Sequence, residues 1–124
     1  MRHLPIPRTS IVALALAMLA VAVTSAVPAG AARTLSGTVG PGFTISLKSG
    51  GKKVKSVRAG SYKFRISDRS DIHNFHLTGP GVNRRITGID FEGTKSRTIR
   101  LRKGTYRYVC DPHSSDMKGS FKVR

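Results

Sequence analysis

The sequence predicts an all-β domain, a Greek-key sandwich of about seven or eight strands. Three observations predict it: short runs alternate apolar with polar residues, a turn signal usually containing glycine closes each run, and no apolar stripe recurs at helical spacing. In the first run Phe43, Ile45 and Leu47 alternate with Thr44 and Ser46 until Ser49-Gly50-Gly51. The second, after Ala59-Gly60, sets Tyr62, Phe64 and Ile66 against Lys63, Arg65 and Ser67. Ile99 and Leu101 alternate with Thr98, Arg100 and Arg102 before Lys103-Gly104. Thr105 to Cys110 places Tyr106 and Tyr108 on one face, and Ser120 to Arg124 does the same with Phe121 and Val123. Strand side chains alternate between faces, so the aromatic and branched members are expected to fill a core between two sheets. The polar, basic stretch from Lys48 to Arg58 reads as partly loop.

The domain is expected at 32–124, because 1–31 reads as a cleaved export signal. Arg2 and Arg8 precede an apolar run from Ile11 to Val23, and Ala29-Gly30-Ala31 offers the small residues a signal peptidase needs, with cleavage near Ala31 or Ala32. That run falls short of the roughly 20 residues a membrane-crossing helix requires. The expected product is a soluble monomer without a transmembrane anchor, periplasmic or extracellular.

Cys110 is the only cysteine, so a small exported domain that would commonly carry disulfides cannot make one internally. A thiol with a chemical task resolves this, since a bound metal protects the thiolate and adds folding free energy. Charge is the second bulk feature: 22 Lys plus Arg stand against 6 Asp plus Glu over 124 residues. Such a surface can steer an acidic partner or hold the molecule near an anionic envelope, or it can be no more than the solvated faces of strands. Nucleic acid is a poor partner, because no helix-turn-helix, RNP or zinc-finger pattern accompanies the charge.

The scarce soft donors cluster. Beyond the signal the chain has one Cys, one Met (Met117) and three His (His73, His76, His113), and Cys110, His113 and Met117 follow the spacing C-x2-H-x3-M between two strands. A loop there can fold three side chains around one point, with His73 arriving from elsewhere in the sandwich. Thiolate and thioether suit Cu(I), imidazole suits both copper oxidation states, and a His2Cys set with a long axial Met suits a copper ion cycling between them. Zinc could occupy the same donors, but structural zinc usually takes four strong ligands. The carboxylates Asp68, Asp71, Asp90, Glu92, Asp111 and Asp116 form no acid–base or nucleophile motif, so no enzymatic activity is expected.

These segments resemble the plastocyanin, amicyanin and azurin group of blue copper proteins, the cupredoxins. Asp71-Ile72-His73-Asn74-Phe75-His76-Leu77 is similar to the amicyanin segment containing His-Asn-x-His, in which the first His binds copper. Cys110-Asp111-Pro112-His113 with Met117-Lys118-Gly119 is similar to the plastocyanin ligand loop, although three residues separate His113 from Met117 where plastocyanin has four and amicyanin two. The resemblance implies one type 1 copper ion held by His73, Cys110, His113 and, more weakly, Met117. It implies that Asn74 hydrogen-bonds across to the Cys-bearing loop and that electrons pass near His113. His76, three residues from His73, falls on the opposite strand face and is expected at the surface. The expected function is one-electron transport to a redox partner protein, for which an acidic docking surface would complement the basic charge. The alternatives are copper buffering or delivery without a dedicated partner, or a structural metal in a domain that binds an anionic partner.

Overall fold

The computed structural model describes residues 4–5, 17, 20–23 and 32–124, so most of the expected export signal lies outside the described residues. Among the described residues ten strands follow in order: β1 Arg33–Val39, β2 Ile45–Ser49, β3 Lys52–Lys53, β4 Ser56–Val57, β5 Gly60–Asp68, β6 Phe75–Gly79, β7 Val82–Thr87, β8 Gly93–Leu101, β9 Gly104–Val109 and β10 Lys118–Val123. They make two five-stranded sheets, ordered β3-β2-β1-β5-β8 and β4-β10-β9-β6-β7. Among the described residues no helix is long and apolar enough to cross a membrane.

The all-β sandwich is as expected, and its strand count is higher because the Lys48–Arg58 stretch is not simply loop. It holds the short strands β3 and β4, one on each sheet, with Val54 between them buried in the core and its N–H bonded to Leu47 O. Neither sheet is purely antiparallel: β1 runs parallel to β5, and β4 parallel to β10. Alternation alone does not report strand direction, which is why the sequence left this open.

Alternation did locate the core. Along β5 Tyr62, Phe64, Ile66 and Asp68 point inward while Ser61, Lys63 and Arg65 face water. From the other sheet Phe75, Tyr106, Tyr108 and Phe121 meet them, with Phe75 stacked on Tyr108 at 5.4 Å and Tyr106 on Phe121 at 5.5 Å. Two glycines let these rings lie flat against the sheet: a Cβ on Gly79 would sit 2.2 Å from the Tyr106 ring, and one on Gly119 would sit 2.2 Å from that of Tyr108. Gly119 ends the segment bearing the soft donors, so the aromatic core fixes where that segment rejoins β10.

Phe43 departs from expectation. It precedes β2, in a turn where Gly40 N–H donates to Thr44 O and Thr44 N–H to Gly42 O, and it is 61% exposed. Backbone bent into a turn no longer alternates, so Phe43 is released from the core face.

Candidate metal centre

All four sequence-predicted donors lie at one pole of the sandwich. His73 comes from the crossover between β5 and β6, Cys110 directly follows β9, His113 ends a 3-10 turn at Asp111–His113, and Met117 precedes β10. Pro112 takes the second position of that turn, where its missing N–H costs no hydrogen bond. Backbone bonds then close the loop: His113 N–H to Cys110 O, Met117 N–H to His113 O and Cys110 N–H to Met117 O. The C-x2-H-x3-M spacing is thus a folded unit whose backbone bonds itself.

The two imidazole Nδ1 atoms of His73 and His113 lie 3.1 Å apart, and each is 3.6 Å from Cys110 Sγ. A point about 2 Å from all three atoms exists within that triangle, close to the roughly 2.0 Å of a metal–imidazole bond and a few tenths of an ångström short of the roughly 2.3 Å of a metal–thiolate bond. His73 and Cys110 are fully buried and His113 is half-buried. Met117 is also fully buried, in a small apolar cluster with Val39 and Cys110. A buried thiol facing two imidazole nitrogens is a donor set that fits a borderline-soft ion.

Further residues hold the donors in place. Asn74 Nδ2 donates to Asp111 Oδ2 at 2.8 Å, and Asp111 N–H donates to Asn74 Oδ1 at 2.7 Å, so one side chain ties the His73 segment to the Cys110 loop. Phe75 N–H, next along, donates to Thr87 Oγ1. Phe43 packs edge-on against both imidazoles, with ring centroids 4.8 Å from His113 and 5.5 Å from His73. Asp68 Oδ2 and His73 Nε2 are the buried side-chain polar atoms that lack a partner among the described residues. Burial pushes the Asp68 carboxyl above its ordinary pKa, against hydrogen bonds from Thr87 and Ser70 and the charge of His73.

His76 corrects the sequence reading. It does lie on the strand face opposite the core, but it is only 9% exposed. Its Nδ1 lies 2.7 Å from Asp111 Oδ1 and its Nε2 lies 2.6 Å from Asn83 Oδ1, while Arg85 Nε donates to Asp111 Oδ2 at 2.9 Å. β6 is an interior strand between β9 and β7, so residues from its neighbours cover its outer face. Asp111 is the hub that sequence reasoning missed. The available signal was its place inside the Cys-x-Pro-His motif, one residue from the thiol.

Burial alone would raise the Asp111 pKa, but hydrogen bonds from His76, Asn74 and Arg85, with the charge of His76, outweigh it and hold the carboxyl below the usual 3.8. A folded pKa below the unfolded one contributes stability above the unfolded value and loses it as pH falls through the folded value. Asp111→Asn is therefore expected to melt below the parent at pH 7. The gap should close as pH drops beneath about 3.8, read from thermal melts of metal-free protein across pH.

No family model matches the sequence, and no curated protein matches it. Solved structures do match. The chain has the sandwich fold of the blue copper proteins, the cupredoxin fold, with a buried His-Cys-His cluster at one pole. Similar structures include rusticyanin, a copper protein, at 18% identity over 77% of this chain and 80% of that one, with a TM-score of 0.56. Auracyanin A, a "blue" copper protein from Chloroflexus aurantiacus, matches at 19% identity over 76% of this chain and 100% of its own, with a TM-score of 0.52. A reduced variant of amicyanin matches at 19% over 77% and 87%, with a TM-score of 0.50. At these identities the likeness is one of fold.

Proposed function

We propose that this protein is an exported one-electron carrier that binds a single copper ion through His73, Cys110 and His113, with Met117 as a weaker fourth donor. The observation that carries the reading is the convergence of two Nδ1 atoms and one thiol Sγ, at 3.1 to 3.6 Å, in the buried pole of a cupredoxin fold. Copper bound there supplies a Cu(II)/Cu(I) couple that exchanges one electron at a time. The protein's contribution is rigidity. His73 and Cys110 are packed on every side, Asn74 and Asp111 lock their segments together, and the loop is closed by its own backbone bonds, so little has to move between oxidation states.

His113 is the donor nearest the surface, and exposed Phe43 lies against its ring while exposed Ile72 adjoins His73. That apolar rim supports docking of a redox partner beside His113. Met117→Leu, which conserves volume, should keep the thiolate-based colour and raise the reduction potential. Losing a fourth donor favours Cu(I), which tolerates three ligands, and voltammetry reads the shift.

Fast-scan voltammetry with NMR line broadening of mixed oxidation states tests the carrier reading. Reversible reduction with rapid self-exchange is expected. Slow exchange together with complete Cu(I) transfer to an acceptor protein would replace it with copper delivery.

A further inference from the structure

All six carboxylate side chains of the sequence belong to the metal-bearing half of the sandwich: Asp68 ends β5, Asp71 lies in the crossover to His73, Asp90 and Glu92 precede β8, and Asp111 and Asp116 lie in the donor loop. The pairing of Asp68 with Gly93 places the turn before β8 at that same end. At the other end, where β1 and β5 begin and β8 and β10 finish, no Asp or Glu is found. Arg33, Lys52, Lys53, Lys55, Arg58 and Arg124 line one groove there, and Lys103 and Lys122 line a second that shares Ser56 and Arg124 with it. All eight of these side chains are exposed, and none forms an ion pair among the described residues.

From this segregation we propose that the pole opposite the metal centre docks on an anionic phospholipid surface and holds the donor cluster facing away from it. The inference stands on charge placement, and only the choice of a lipid surface over a redox partner rests on the proposed carrier function. Two observations favour a lipid surface over the other anions a basic patch can meet. The cations spread over a whole pole without converging on a point, and the buried Tyr62 that lines the first groove already donates its hydroxyl to Arg58 O instead of offering it to a single anion. Five of the eight are lysines, whose charge suits a diffuse anionic layer better than the paired geometry of a fixed carboxylate.

An acidic redox partner fits this pole poorly. The nine residues of β5 separate it from the donors, a span of roughly 30 Å at strand rise. Electron tunnelling decays exponentially with distance, so a partner seated there would exchange slowly. A membrane seated there leaves Phe43 and His113 free for the partner.

The test is co-sedimentation of the protein, as recovered after export, with vesicles of phosphatidylcholine alone and of phosphatidylcholine with phosphatidylglycerol. The parent should bind only the anionic vesicles, and less in high salt. A Lys52→Glu, Lys53→Glu, Lys55→Glu variant should lose about 100-fold or more, since each basic residue near such a surface contributes roughly fivefold. A control with the same net charge, Lys63→Glu and Arg65→Glu on the outer face of β5 with Arg97→Glu, exposed on the edge strand β8, should lose less than tenfold. The Lys→Gln version of the distal set should fall between parent and Lys→Glu, and near-ultraviolet circular dichroism checks that each variant is folded. Equal losses in both charge-reversed sets would overturn the inference in favour of undirected attraction by net charge. Absence of anionic-vesicle binding, with retention on immobilised polyglutamate, would overturn it in favour of an acidic protein partner.

Discussion

Cys110→Ser is expected to abolish most of the thermal stabilisation that copper confers on this protein, and with it the visible colour of the copper complex. The parent gains stability from any ion that binds the folded state alone, about 4 kcal/mol at a thousandfold excess over its Kd. For a domain of this size that is a rise in Tm of roughly 15 to 30 °C. Serine keeps the shape of the side chain in the cluster with Val39 and Met117 but offers a hydroxyl in place of a soft thiolate. His73 and His113 remain within reach of each other, so weak Cu(II) binding persists without the thiolate-to-metal transition. The metal-free variant should melt close to the metal-free parent. Differential scanning calorimetry with and without copper separates the two effects.

Asn74→Ala should cost about 3 kcal/mol in the metal-free protein, a fall in Tm of roughly 10 to 20 °C. The side chain is fully buried and makes both a donated and an accepted bond to Asp111. Its loss leaves Asp111 N–H without a partner and cuts the tie between the two segments, while Arg85 and His76 still hold the carboxylate. The copper-loaded variant should lose less, because a metal joined to His73 and Cys110 bridges the two segments that Asn74 otherwise ties. Paired melts of metal-free and copper-loaded variants read that difference directly.

Much of this centre was legible in the sequence because soft donors are rare here and their spacing is informative. One Cys, one Met and one His within eight residues between two alternating runs mark a loop, and the structure places His73 opposite them. Period-two alternation gave the core of β5, β9 and β10, since a buried face imposes that pattern whatever the topology. Strand direction stayed hidden, and so did β3 and β4, because two-residue strands are too short to show a period. His76 shows a further limit: alternation assigned its face correctly, but exposure depended on Asp111, Asn83 and Arg85, which reach it from other segments. Phe43 shows the converse, a residue that alternation assigned to the core and the turn at 40–44 turned toward the metal pole. The separation of charge between the two poles was likewise invisible to composition, because it required knowing which strand ends share a side of the sandwich.

The central claim is that His73, Cys110 and His113 together bind copper as a thiolate-containing trigonal set. The measurement that tests it most directly is the visible absorption and electron paramagnetic resonance spectrum of the purified protein after addition of one equivalent of Cu(II). Intense absorption of orange-red light with narrow copper hyperfine splitting is the expected result. A colourless complex with the wide splitting of ordinary tetragonal Cu(II) would contradict it.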